Sequence, residues 1–211
     1  MKSRYLLIVV IIIPRLCFGQ DTLKTQKLDE IVIQSQRIYD LERLPKIQGT
    51  HLWAGKKNEV INVQNLDVNI AERTPRQIFA KVPGIFVYDM DGSGNQINIS
   101  TRGLDPHRGW EYNIRKNGII ANSDMYGYPA SHFSIPAEAI DHIELVRGTG
   151  SLQYGAQFGG MVNYVTKKPD TTRKITFESI QSAGSFNMLS TYNSASGTLG
   201  KFKYHAYFNK R

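Results

Sequence analysis

The sequence predicts an α+β domain of short strands and short helices, followed by about three antiparallel strands that stop short of a complete architecture. Three observations carry this reading. Between about residues 60 and 168, short apolar runs alternate with Pro-Gly, Asn-Gly and Gly-rich breaks. Residues 20 to 60 are polar and weakly patterned, and after Pro169 three segments of about ten residues alternate in side-chain character. At 211 residues with 41% hydrophobic and 21% charged side chains, the chain has ordinary globular usage, which excludes a wholly disordered polypeptide.

Within the central region each element has a local cause. Thr74-Pro75-Arg76-Gln77 combines an N-cap, a proline at the first helical position and a glutamine three residues after the cap. Ile78, Phe79 and Val82 follow, and Pro83-Gly84 ends the helix. Ile85-Phe86-Val87-Tyr88 and Ile97-Asn98-Ile99 read as strands joined through Asp91-Gly92-Ser93-Gly94. Asn117-Gly118, between Tyr112–Arg115 and Ile119-Ile120, is the signature of a two-residue hairpin. Pro136 to Ile140 fits one helical turn, and His142–Val146 and Met161–Val165 read as two further strands.

The ends are different in texture. Lys2-Ser3-Arg4, the apolar run Tyr5–Ile13 and the small residues Cys17 and Gly19 make residues 1–19 a secretory signal, cut before Gln20. Nine apolar residues are too few for a spanning helix, which needs about 20. Residues 20–59 read as a flexible arm carrying one extended stretch, Leu28–Ile33, of the kind a partner captures by adding it to a sheet edge. An edge strand of the following domain would look alike. In the last region the alternation runs around Ile175 and Phe177, then Phe186, Met188 and Tyr192, then Phe202, Tyr204, Ala206 and Phe208. That pattern suits outer-membrane barrel strands and a plain antiparallel sheet equally, and three strands cannot close a barrel.

Composition also removes several function classes. The formal charge of +8 falls to a mildly basic value once Lys2, Arg4 and Arg15 leave with the signal, too little for a nucleic-acid binder. One cysteine, Cys17, excludes an intrachain disulfide and a multi-cysteine zinc site, and the five scattered histidines argue against any structural metal. Asp89–Asn95 imitates the start of a calcium loop, but Ser100 stands where the bidentate glutamate belongs. Gly148-Thr149-Gly150 lacks the third glycine of a dinucleotide loop, since residue 153 is Gln153. No nucleophile and base have supporting context, so neither an enzyme nor a resident cofactor is expected. Two Arg-Gly steps, Arg102-Gly103 and Arg147-Gly148, end apolar strands. Their guanidinium groups either meet a carboxylate or carbonyl or are solvated at the surface. The loops from Asp105 to Tyr112 and from Ser123 to His132 bring together His107, Arg108, Tyr126, Tyr128 and His132, a set suited to a polyanionic ligand.

Taken in order, these motifs resemble the N-terminal part of TonB-dependent outer-membrane receptors. Leu28–Ile33 is similar to the TonB box. Thr74–Ile85, Ile97–Gly103, Ile143–Gly148, Leu152–Gly160 and Val162–Lys167 resemble consecutive motifs of the plug domain. The resemblance implies a plug with a small mixed sheet over residues 60–168, the first strands of a transmembrane β-barrel over 169–211, and active import through a barrel of about 22 strands. It implies TonB as a partner of Asp29, Glu30, Ile31, Val32 and Ile33, and barrel-wall glutamates as partners of Arg102 and Arg147. Gly103–Pro106, Tyr126–Pro129 and Tyr154–Gln157 are most similar to ferric-citrate receptors, which adds Gln157 to the ligand-binding set of His107, Arg108, Tyr126 and Tyr128. The ligand is then a ferric chelate, with vitamin B12 or a glycan as the alternatives, and the place of action is the outer membrane.

The sequence departs from that family's pattern in two ways. Few residues separate Gln20 from Leu28, so no signalling domain is expected there. The barrel pattern stops after about three strands, so transport by this polypeptide alone is not expected. The chain reads as a fragment of a longer receptor or as a truncated product, and a barrel-less plug acting as a periplasmic binding module is the alternative.

Overall fold

The alternation Ile140-Asp141-His142-Ile143-Glu144-Leu145-Val146-Arg147 builds β9 (Ile140–Arg147), the strand around which the rest is arranged. A computed structural model describes residues 41–66, 75–88, 98–107, 111–121, 135–148, 158–185 and 187–210 of the chain. All of these belong to one compact unit, Ile38–Arg211. β9 lies between β4 (Asn58–Asn62) and β10 (Gly160–Thr166), antiparallel to both. β10 pairs in parallel with β7 (Tyr112–Lys116), and the edges are β1 (Leu41–Glu42) and β8 (Ile119–Ile120). The order β1-β4-β9-β10-β7-β8 is a mixed sheet, as expected for the fold class. Two small ribbons accompany it: β2 (Ile47–Gln48) with β3 (His51–Leu52), and β5 (Ile85–Val87) with β6 (Ile99–Thr101).

Cross-strand partners share a face, so the register separates the two sides of the sheet. One side, face A, places Ile61, Ile143, Leu145, Val162, Tyr164, Ile114 and Tyr112 in the main core, completed by Phe79 and Val82 of the α1 segment and by Ile99. Helix α1 (Pro75–Phe79) is five residues long, and single 3-10 turns occur at Val63–Asn65 and Ala137–Ala139. The described residues are thus mostly β, with less helix than a balanced α+β fold would have. The opposite side, face B, buries Val146 and Met161 beneath Leu44 and Trp53.

Ordered elements reach into the range read as a flexible arm. β1, β2, β3 and the start of β4 all fall within the range read as flexible arm, and Leu44 and Trp53 are buried. Elements of two residues leave no periodicity to detect, so this part of the arm looked featureless. Residues 1–40, including the extended stretch Leu28–Ile33, lie outside the described residues, as does Thr74.

Two local features fix the sheet. Asn117 and Gly118 have φ of 50° and 79°, the pair of positive values that a type I′ hairpin demands. Asn117 also clamps the end of β10: its Nδ2 donates to Thr166 Oγ1 (3.0 Å) and its Oδ1 accepts from the Thr166 amide (3.0 Å). Gly160, at φ 132°, lies so close to β9 that a Cβ would stand 2.0 Å from the Val146 carbonyl oxygen.

The last three strands form a separate antiparallel sheet, β11 (Thr176–Ala183), β12 (Leu189–Leu199) and β13 (Phe202–Lys210), which is not closed. One face turns toward the mixed-sheet domain and is polar. Lys167 Nζ bridges to Glu178 (2.9 Å), Lys116 Nζ donates to Tyr207 Oη (3.1 Å), and Ser194 Oγ donates to Glu178 (3.4 Å). The other face exposes Phe177, Leu189, Leu199, Phe202 and Phe208. Tyr192 corrects the alternation read for its segment. It is fully buried on the inward face with its ring 6.1 Å from Tyr207, so the outward series of β12 is Leu189, Ala195 and Leu199. A tyrosine is apolar enough to pass for a lipid-facing residue and polar enough to belong on the inner wall. No helix among the described residues is long and apolar enough to cross a membrane.

The connection between the two parts is organised by Asp170. Its carboxylate accepts from the Thr172 hydroxyl (2.7 Å), the Thr176 hydroxyl (2.7 Å), the Thr172 amide (2.8 Å) and the Arg173 amide (3.3 Å), and these bonds hold it well below the usual carboxylate range. Its backbone is pinned to β12 through Ser196 and Thr198.

The burial pattern makes a direct prediction for stability. Ile143→Ala, in the fully buried centre of face A, lowers unfolding free energy by about 2–5 kcal/mol, whereas Ile119→Ala, 73% exposed on β8, changes it by less than about 0.5 kcal/mol. Urea denaturation of both variants measures the contrast.

Candidate functional site

The two Arg-Gly steps interlock. Arg147 ends β9 on face A, where its Nη1 donates to the Pro83 carbonyl (2.5 Å) and its Nη2 pairs with Glu59 of β4. Arg102, at φ 60° just after β6, lays its guanidinium over Gly148, where a Cβ would stand 2.7 Å from Nη2. The glycine that follows one arginine is therefore the seat of the other, and its own φ of 80° is a conformation that L side chains rarely adopt. Gly84 makes a comparable approach to Arg147, 3.3 Å from Nη1. Tyr112 lies buried close by. Burial raises its phenol above the ordinary value, opposed by Thr101 and by the charges of Arg147 and Arg102. Among the described residues, two guanidinium groups and the carboxylate of Glu59 lie at this end of face A.

Of the residues singled out in the sequence, the structure brings Arg102 and Arg147 together. The carboxylate that Arg147 meets among the described residues is Glu59 of its own sheet, whereas the resemblance implied a glutamate of a barrel wall. Arg102 has no ion pair among the described residues. His107 is exposed, its amide bonded to Asp105 Oδ1 (2.9 Å) in a local Asx turn. Arg108, Tyr126, Tyr128 and Gln157, like Asp29, Glu30, Ile31, Val32 and Ile33, lie outside the described residues, so their geometry carries no argument. Among the described residues, no group of three or more His, Cys, Asp or Glu is placed to hold a metal ion.

A second site was not singled out in the sequence. On face B, beyond the part covered by Trp53, a groove of about 430 Å³ is lined by residues that include Gln48, His51, Arg115, His142, Glu144 and Asn163. Glu144 is its hub. One carboxylate oxygen accepts from Gln48 Nε2 (3.0 Å) and lies 3.7 Å from His142 Nε2, and the other accepts from Asn163 Nδ2 (2.7 Å). Gln48 in turn accepts from the Trp53 indole (3.0 Å), and Asn163 accepts from the Gly118 amide (2.9 Å). The chain of bonds thus joins the β2–β3 ribbon, both central strands and the β7–β8 turn. Burial alone would raise the Glu144 carboxyl, but His142, Gln48 and Asn163 outweigh it and hold the group below its ordinary value. Glu144 raises His142 above its ordinary value despite burial, and Asp141, 2.8 Å from Nδ1, adds to the effect. The available signal was the alternation itself: in a strand whose 143 and 145 positions face a core, 142 and 144 share the other face.

Comparison with known proteins resolves the architecture. A family model described as TonB-dependent Receptor Plug Domain matches residues 55–162, more than half of the chain. The chain belongs to the TonB-dependent receptor plug family. It is 31% identical over 114 residues to a ferric enterobactin receptor of Pseudomonas aeruginosa, covering 47% of this chain and 15% of that protein. It is 25% identical over 114 residues to the vitamin B12 transporter BtuB of Vibrio vulnificus, covering 54% and 18%. A probable TonB-dependent siderophore receptor, PirA of Acinetobacter baumannii, is 35% identical over 82 residues, covering 36% and 11%. The matched regions are therefore less than a fifth of the length of these relatives. Among solved structures, the FpvAI–pyocin S2 complex superposes with a TM-score of 0.51 at 25% identity over 69% of this chain and 18% of that one. The pyoverdine receptor FpvA of Pseudomonas aeruginosa PAO1 does so at 0.51 and 24%, over 69% and 20%, and supports the fold. These relatives are receptors and transporters, and the family is not one of enzymes.

Two outcomes follow for the plug. Removing one member of a largely buried ion pair strands the other, so Glu59→Ala destabilises the chain by about 3 kcal/mol in denaturant unfolding, and Glu42→Ala, exposed on β1, leaves it nearly unchanged. The Glu144–His142 pair sets a pH window. Glu144, lowered from 4.5, contributes stability that is present above that value and lost as pH falls through its folded value. His142, raised from 6.5, contributes stability that is present below 6.5 and lost as pH rises through its folded value. Melting temperature followed across pH 4–9 declines at both ends, and His142→Gln flattens the alkaline decline.

Proposed function

We propose that this chain is the N-terminal part of a TonB-dependent outer-membrane receptor that imports a ferric chelate. The observation that carries the reading is the way the two sheets meet. A plug of established family lies against the polar face of a three-stranded sheet whose opposite face exposes Phe177, Leu189, Leu199, Phe202 and Phe208. A protein wall standing in lipid requires this inversion, with apolar side chains outward and polar ones toward the lumen. The chain then acts in the outer membrane, with the plug filling the barrel and reached by TonB from the periplasm.

In this reading TonB takes Asp29, Glu30, Ile31, Val32 and Ile33 as an added strand. The ligand meets His107, Arg108, Tyr126, Tyr128 and Gln157 on the plug loops, and Arg102, without an ion pair among the described residues, meets a glutamate of the barrel wall. An iron chelate is supported by the ferric enterobactin, pyoverdine and siderophore receptors among the relatives, alongside a vitamin B12 transporter. Ferric citrate is the finer proposal. It rests on Gly103–Pro106, Tyr126–Pro129 and Tyr154–Gln157, and none of the relatives named above is described as a citrate receptor.

Deleting Asp29 to Ile33 from the complete receptor is expected to abolish energy-dependent uptake of radiolabelled iron chelate while leaving its binding to cells intact. Uptake at the unaltered rate would remove the role given to the arm. Competition among ferric citrate, ferric enterobactin and cyanocobalamin for binding to the same cells reads out the ligand.

A further inference from the structure

The segment between β1 and β4 crosses face B without joining the sheet. From Arg43 to Lys56 its backbone bonds among the described residues are internal: the Trp53 and Ala54 amides donate to the Lys46 carbonyl (2.8 and 3.2 Å), and the Lys56 amide donates to the Trp53 carbonyl (3.1 Å), whereas the Lys57 carbonyl already accepts from the Arg147 amide of β9 (2.9 Å). Asn58, the first residue of β4, gathers both ends. Its Oδ1 accepts from the Leu44 amide (2.8 Å), and its Nδ2 donates to the carbonyls of Lys56 (3.1 Å) and Trp53 (3.4 Å). In the middle, a side-chain bond reaches across to the central strands, from Gln48 Nε2 to Glu144, with Gln48 oriented by the Trp53 indole. Leu44 and Trp53 also pack on Val146 and Met161, a core separate from the larger one on face A.

We propose that residues 43–56 are a strap that unfolds locally as a unit, its internal bonds included, when the Gln48–Glu144 clasp is released, while β4, β9, β10 and β7 stay paired. The physical reason is the unequal division of contacts. The strands hold one another through complete ladders and the face A core, whereas the strap is held to them by side chains, at the low-stability end of the structure. Opening widens a groove that Met161 already lines, by uncovering Val146 beside it. The polar groove of Glu144, Asn163, Arg115 and His142 then extends over the apolar floor that Leu44 and Trp53 cover, giving one longer cleft along face B. The strap is a conformational device of the plug itself and does not depend on which ligand the receptor carries.

Hydrogen exchange read by mass spectrometry on the full 211-residue chain tests this. In the unaltered chain the amides of Leu44, Trp53, Ala54 and Lys56 are expected to exchange together, at least about tenfold faster than those of β9 and β10 after correction for intrinsic rates. Gln48→Ala accelerates the strap group by about tenfold and leaves β9 and β10 unchanged. The pair Gln48→Ala with Glu144→Ala accelerates the strap no more than Glu144→Ala alone, because either substitution removes the same bond. One common rate for the strap and the central strands in the unaltered chain overturns the proposal, as does a strap rate insensitive to Gln48→Ala. The comparison within the unaltered chain decides the matter even where a variant fails to fold.

Discussion

Strand β9 carries side chains of opposite character on its two faces, and the rest of the plug answers to that constraint. Ile143 and Leu145 must be covered, and residues from β4, β10, β7, α1 and β6 supply one continuous apolar core on that side. Glu144, one residue out of phase with them, takes a carboxylate into a sheet face where water is scarce, and an isolated charge there would be costly. The structure meets this with amide donors from Gln48 and Asn163 and with the imidazole of His142. The ribbon that delivers Gln48 also delivers Trp53, so the satisfaction of one buried carboxylate and the covering of Val146 and Met161 are the same event.

The meeting of plug and three-stranded sheet follows the opposite logic from a protein core. Lys116 and Lys167 of the mixed-sheet part meet Tyr207 and Glu178 of the strands, and Phe177, Leu189, Leu199, Phe202 and Phe208 face away from that contact. A seam of charged and hydroxyl groups gains little from dehydration, and each of its bonds exchanges readily for one to water. It aligns the two parts without fusing them into one core.

Much of this was legible in the sequence, and the limits have physical causes. β9, β10, β7, the Asn117-Gly118 turn and α1 each have enough length or turn chemistry for local residues to dictate them, and they form where the pattern places them. β1, β2 and β3 are two-residue elements held by tertiary contacts, and nothing local to 41–56 announces them. The phase of β12 was misread because Tyr192 satisfies either face. Arg102 and Arg147 stood out as guanidinium groups at strand ends, but only the fold shows that each arginine lies against a glycine near the other. Glu144 went unmarked because a lone acid in a strand gains its meaning from Gln48, 96 positions earlier.

The turn at Asp170 determines how the two halves of the described chain can part. Its carboxylate gathers the next residues into a fixed corner, and its backbone is tied to β12 through Ser196 and Thr198. A loose linker would let the plug drift away from the strands by uncoiling, and this corner has no slack to release. The joint is therefore a short bonded corner: for the two sheets to part, either the ties from Asp170 to Ser196 and Thr198 break or the corner travels with β12.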